Sequence, residues 1–207
     1  MFLENPSYNN EQFGWIEVIC GSMFSGKTEE LIRRIKSAKI ANQKIKVFKP
    51  TIDSRSKNYI ESHDESKLES TEVKYSSDIL DKVENCDVVA IDEAQFFDDG
   101  IVSVCNDLAN NGIRVIIAGL DMDYLGNPFG PMPNLMAIAE YVTKVHAVCK
   151  KSGNIANYSF RKSANDSVVF LGETQEYEPL SRAAFFEAQI SKIDKGNTHT
   201  KSKVSPK

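Results

Sequence analysis

The sequence predicts an α/β protein: a parallel sheet with helices on both faces, followed by a small β-ribbon. Three observations carry this expectation. An apolar run, Ile16–Cys20, passes through a glycine-bounded loop directly into a helical pattern. Further strand-like runs at 44–50, 87–91 and 114–119 alternate with helical segments, the pattern of βαβ units. After Cys149 the texture changes to short strand-like pieces with polar links.

The elements follow in order. Residues 1–14 are polar and read as a flexible arm without the apolar core of a signal peptide. The α/β body spans 15–145. Its first helix, from Thr28 to about Gln43, sets Leu31, Ile32, Ile35 and Ala38 at helical spacing on one face. Lys44–Pro50 alternates and ends at a proline, which predicts a strand. Thr51–Thr71 is polar and aperiodic and reads as a long loop. A short strand is expected at 72–75 and a short helix at 78–83. Asp87–Ile91 reads as a strand. Ile101–Asn110 suits a helix closed by Asn111-Gly112, and Arg114–Gly119 reads as a buried strand. A loop rich in Gly and Pro spans 121–133, with a helix near 135–139 and a strand near 142–148. In the appended unit, 146–189, Tyr158–Lys162 and Val168–Leu171 are expected to form a ribbon. Little order is expected beyond Gln189. The tail, 190–207, carries five lysines against one aspartate and reads as basic, solvated and disordered.

Composition limits the function classes. The chain has 207 residues and a net charge of −4, so overall charge gives no case for nucleic-acid binding. No run of 18 apolar residues exists to span a membrane. The four cysteines are scattered and read as small buried hydrophobes in a reducing compartment, with the cytoplasm as the expected location.

The chemistry concentrates in two places. Gly21-Ser22-Met23-Phe24-Ser25-Gly26-Lys27-Thr28 is a complete G-x-x-x-x-G-K-[ST] loop, set between a strand and a helix as that motif requires. Such a loop aims successive backbone N–H groups at phosphates, with the positive end of the helix beneath them. Lys27 can reach the β- and γ-phosphates, and the Thr28 hydroxyl can ligate Mg²⁺. The second place is Val88-Val89-Ala90-Ile91-Asp92-Glu93, an apolar strand delivering two acids at its carboxyl end. Asp92 can hold Mg²⁺ directly or through water. Glu93 can polarise water, or take the proton of a substrate hydroxyl. Together these motifs predict a P-loop NTPase of RecA-like architecture using ATP and Mg²⁺. No Asn-Lys-x-Asp guanine-reading motif is present, which argues against a GTP switch. Aromatics follow the acids, including Phe96, Phe97, Tyr124 and Phe129, and can line a cleft for a flat base or simply pack in the core. His63 and His146 stand at no metal or triad spacing.

The loop, the string Asp92-Glu-Ala-Gln-Phe-Phe97, and Leu120-Asp121 with Pro128-Phe129-Gly130 resemble the type II thymidine kinases, from about Trp15 to Phe185. The resemblance implies transfer of the ATP γ-phosphate to the 5′-hydroxyl of thymidine, with Glu93 as general base. It groups Asp92, Gln95 and Arg55 with the phosphate loop on the ATP side. It assigns Mg²⁺ to Thr28, Asp92 and Asp53. Phe96 and Phe129 match aromatic walls of the thymine pocket, Leu120 an apolar wall, and Met23 a residue bordering the base. Tyr124 stands where Phe is common. The lasso loop matches Val168, Phe170, Leu171 and Gly172, whose backbone reads the base, and Tyr177 closes it. The family also implies a homotetramer.

One departure is plain. The family usually carries two Cys-x-x-Cys pairs that hold zinc. Here those positions read Cys149-Lys-Lys-Ser152 and Ser181-Arg-Ala-Ala184. One thiolate of four remains, so no zinc is expected. Two rivals to the kinase stand: a nucleotide-binding regulatory protein without nucleoside turnover, and a P-loop ATPase motor.

Overall fold

The structure, a computed structural model, describes residues 7–8, 11–12, 14–52, 59–61, 67–162 and 176–201, with side chains at 14–52, 59–60, 68–162 and 176–192. Six strands form one parallel sheet: β1 (Trp15–Cys20), β2 (Ile45–Pro50), β3 (Thr71–Val73), β4 (Val88–Ile91), β5 (Arg114–Gly119) and β6 (Tyr141–Lys144). Their spatial order is β6-β1-β5-β4-β2-β3. The phosphate loop leaves the carboxyl end of β1, and Asp92-Glu93 leave the same end of β4. One strand, β5, separates them.

The period of two decides which residues face which layer. On β4 and β5, Val89, Ile91, Val115 and Ile117 pack beneath α2 (Ile101–Asn110) and α3 (Met132–Ile138). Their alternates, Val88, Ala90, Ile116 and Ala118, pack against Leu31, Ile32, Ile35 and Ala38 of α1 (Lys27–Ile40). Both faces are covered, which is why these strands read as continuous apolar runs.

One acid interrupts this pattern. Glu17 on β1 is wholly buried. Its carboxylate accepts from Arg34 Nη1 at 2.8 Å, Arg114 Nε at 2.6 Å and Trp15 Nε1 at 2.7 Å. Arg34 in turn donates to Glu30 at 2.8 Å and Thr143 at 2.9 Å. The network ties α1, β1, β5 and β6 together.

A second core lies beyond β6. A short pair, β7 (Ala147–Val148) with β8 (Ile155–Ala156), and a longer pair, β9 (Tyr158–Arg161) with β10 (Tyr177–Leu180), are both antiparallel. With α4 (Arg182–Lys201) they bury Cys149, Tyr158, Leu180, Ala184 and Phe185. Tyr158 and Phe185 stack with ring centroids 4.5 Å apart.

Several expectations need correction. Within the stretch read as a loose arm, Ser7–Tyr8 pairs with Glu11–Gln12. Within the stretch read as a loop, Tyr59–Glu61 pairs with Lys67–Glu69. In the second pair Ile60 is buried and, with Leu68, packs against the core beside α1, an apolar anchor too short to show as a period in the sequence. The described partner of β9 is Tyr177–Leu180, while Val168–Leu171 lies outside the described residues. The last helix continues to Lys201, past Gln189; its first two turns, 182–189, hold the residues that favour helices and are anchored by Ala184 and Phe185, and a helix once nucleated propagates more easily than it starts. All four cysteines are free thiols. No helix among the described residues is long and apolar enough to cross a membrane.

Candidate active site

The phosphate loop owes its shape to its glycines. Gly21 has φ 149°, and a Cβ there would stand 2.2 Å from the Val145 carbonyl. Gly26 takes φ 86° as the residue before α1. Phe24 also has positive φ, 63°, and packs against the second core. Inside the loop the Ser25 hydroxyl and Lys27 Nζ each donate to the Ser22 carbonyl at 2.7 Å. From outside, the Ser22 hydroxyl donates to the Ala156 carbonyl at 3.2 Å, and Met23 N–H donates to Ser159 Oγ at 2.9 Å. The loop is therefore clasped by β8 and β9. Ser159 was not singled out from the sequence; it is a neutral residue in a short strand, and only the fold shows what it faces.

Lys27 sits among acids. Burial lowers its pKa, and the nearby Glu93, Asp92 and Asp121 carboxylates oppose that. Thr28 Oγ1 lies 3.5 Å from Asp92 Oδ2. Two hard oxygens this close at the mouth of a phosphate loop fit Mg²⁺, which is typically held by one or two protein oxygens plus substrate phosphates and water. No cluster of three or more His, Cys, Asp or Glu suited to a metal occurs among the described residues. Asp53 and Arg55 lie outside them.

Glu93 is held in an uncommon conformation. Its φ of 52° is left-handed, a placement that costs about 1–3 kcal/mol for a non-glycine residue and clusters at functional sites. It opens a single 3₁₀ turn, Ala94–Phe96. The Asp92 carboxylate accepts the Glu93 N–H at 2.9 Å. Gln95, which the resemblance grouped with the phosphate-binding residues, has a buried side chain engaged elsewhere. Its amide donates to Glu93 Oε2 at 2.5 Å and accepts from Leu120 N–H at 2.9 Å. Gln95 thus aims the Glu93 carboxylate and fixes the carboxyl end of β5.

The aromatics form two groups. Phe96 and Phe129 meet edge to face, 5.6 Å between centroids. Phe129 follows a loop shaped by Asp123, whose carboxylate accepts from Leu125 N–H and Asn127 N–H at 2.9 Å each. Tyr124 and Tyr177 are joined through Arg161, a residue absent from the expected site. The strand period places Arg161 on the same face as Ser159, but that face is known to look onto the site only from the fold. Val168, Phe170, Leu171 and Gly172 lie outside the described residues.

The positions that hold zinc in the related family do converge, but not as a metal site. Ser152 Oγ donates to Ser181 Oγ at 3.1 Å. Burial opposes ionisation of Cys149, yet hydrogen bonds from Ser152 and Ser181 outweigh it and hold the thiol at about 6. Ala184 packs in the same apolar cluster as Cys149. One sulfur and two hydroxyls do not fit tetrahedral zinc. Dialysis against a strong chelator is accordingly expected to leave the melting temperature unchanged. A drop reversed by added zinc would contradict this.

Comparison of the sequence with known proteins identifies its family. The model of the thymidine kinase family matches residues 14–185. A protein named thymidine kinase from Bacteroides thetaiotaomicron is 58% identical over 190 residues, 91% of this chain and 96% of that protein. One of the same name from Porphyromonas gingivalis is 55% identical over 184 residues, 88% of this chain and 90% of that protein. A third, from a Rhodothermus species, is 56% identical over 173 residues, 83% of this chain and 81% of that protein. With a family match over residues 14–185 and relatives this similar over most of both chains, the chain belongs to the thymidine kinase family.

Proposed function

We propose that this protein transfers the γ-phosphate of ATP to the 5′-hydroxyl of thymidine, giving thymidine monophosphate and ADP. The observation that carries the reading is the Glu93 carboxylate. It is braced by Gln95 beside Lys27 and the Thr28–Asp92 pair, with Phe96 and Phe129 adjoining on the same 3₁₀ turn and the facing loop.

The roles follow from charge and reach. Backbone N–H groups of residues 21–28 cradle the phosphates over the amino end of α1. Lys27 leaves the Ser22 carbonyl for the phosphates and offsets charge on the transferring group. Mg²⁺, on Thr28 and Asp92 and by resemblance Asp53, supplies further charge neutralisation when bound. Arg55 is assigned to the phosphates by the same resemblance. Glu93 accepts the proton of the 5′-hydroxyl as the oxygen attacks phosphorus. Phe96, Phe129, Leu120, Met23 and Tyr124 take the base. By resemblance, residues 168–172, outside the described residues, are assigned to read its edge, and Tyr177 to close over the nucleoside. Enclosure excludes water, the competing acceptor. The family likeness carries the assignment to a cytoplasmic homotetramer, which light scattering after gel filtration tests.

Product analysis tests the acceptor atom. Thymidine monophosphate is expected from thymidine, while 5′-deoxythymidine should inhibit without being phosphorylated. Equal ADP release with either nucleoside would show that water takes the phosphate and would overturn the reading.

A further inference from the structure

Arg161 is 2% exposed, the largest fully buried side chain of the described residues. Its guanidinium carbon lies 3.7 Å from the centroid of the Tyr124 ring. A cation that close to a ring centroid rests on the ring face. From there the rim of the guanidinium meets the Tyr177 hydroxyl, with Nε donating at 2.9 Å and Nη2 at 2.6 Å. Arg161 and Tyr177 are direct cross-strand partners at the ends of β9 and β10. Just beyond them, Lys162 N–H donates to the Glu176 carbonyl at 2.9 Å. Burial raises the Tyr177 pKa and Arg161 pulls against it, so the pair is a cation with a neutral phenol. From α4, Lys192 Nζ donates to the Arg161 carbonyl at 3.3 Å, and Gln189 Nε2 donates to the Tyr124 carbonyl at 3.4 Å.

We propose that Arg161 is a positioning residue for nucleoside binding: seated on Tyr124, it fixes the Tyr177 hydroxyl and so sets the aromatic wall that Tyr177 presents. The inference rests on the nucleoside roles of Tyr124 and Tyr177 proposed above. Two features favour positioning over simple packing. Burying a guanidinium is costly unless its donors are used, and an apolar side chain would fill the space more cheaply. Two N–H groups also converge on one oxygen, which fixes a direction as well as a distance. A lysine could keep the charge but could not both lie flat on Tyr124 and present two fixed donors. Arg161 acts through Tyr177 and touches no reacting atom.

Steady-state kinetics on the full chain test the proposal, with Arg161→Met, Tyr177→Phe and the double variant. Arg161→Met is expected to raise the thymidine KM about tenfold or more, the scale of a lost charge-assisted hydrogen bond. kcat and the ATP KM should stay within about twofold, since the phosphate loop and Glu93 are untouched. The double variant should be no worse than the worse single one, because both remove the same link. If Arg161→Met fails to fold, Arg161→Lys with Tyr177→Phe gives the same cycle. An unchanged thymidine KM in folded protein, effects that multiply in the double variant, or a loss confined to kcat would each overturn the proposal. These results differ from failure of the kinase reading, in which the unmodified protein itself shows no thymidine-dependent turnover.

Discussion

Glu93→Gln is expected to lower thymidine-dependent kcat by about 10²–10⁴, the usual contribution of a positioned general base. The substitution is nearly isosteric. The new amide oxygen can still accept from Gln95 Nε2, so the 3₁₀ turn and the left-handed backbone at residue 93 have their support. What disappears is the basic carboxylate. Because the change is felt as the proton moves, kcat should fall far more than the thymidine or ATP KM rises. Removing a negative charge beside Lys27 takes away one of the carboxylates that oppose the effect of its burial, and also one source of repulsion for the incoming phosphates. ATP binding, read by equilibrium titration, should therefore change little. A loss smaller than about tenfold would remove Glu93 from the role of base and leave it an electrostatic neighbour.

The second large effect concerns stability. Glu17→Ala is expected to destabilise the fold by about 3–5 kcal/mol, the scale seen when one partner of a buried ion pair is deleted. Two guanidiniums, Arg34 and Arg114, and the Trp15 indole N–H all donate to this one carboxylate. Truncation would leave Arg114 without the two bonds it makes to Glu17. Arg34 would keep Glu30 and Thr143. For a chain of this size such a loss corresponds to a fall of about 10 °C in melting temperature. Glu17→Gln, which keeps the shape and loses the charge, should fall between. Calorimetry reads both. A shift under about 2 °C for Glu17→Ala would mean that hydration or relaxation replaces the network.

The contrast between Glu17 and its neighbours shows what was legible in the sequence. The phosphate loop, the acids after β4, and the spans of α2 and β5 follow from local pattern: a fixed motif, a period, and the Asn111-Gly112 stop, where Gly112 takes φ 82°. Glu17, by contrast, is one acid in an apolar run, and its two guanidinium partners come from α1 and the start of β5. No local rule brings them together. The same holds for β9. Its strand character is local, but the choice of Tyr177–Leu180 as described partner depends on pairing across a long connection. Gln95 was visible as part of a specific string, yet its task of holding Glu93 to the end of β5 depends on Leu120 standing beside it. Arg161 was legible only as a charge in a short strand. Its seat on Tyr124 is a tertiary fact. The Cys149 cluster lies between these cases. The sequence lacks three of the four thiolates, and the fold shows that Ser152 and Ser181 still close on Cys149, with Phe185 buried in the same cluster.

The claim on which the rest depends is that a nucleoside hydroxyl, and not water, receives the phosphate. ADP release from MgATP, with and without thymidine, tests it most directly. The expected result is slow basal release with strong, saturable stimulation by thymidine, matched one for one by thymidine monophosphate. Folded, ATP-binding protein whose ADP release is indifferent to thymidine would contradict the account.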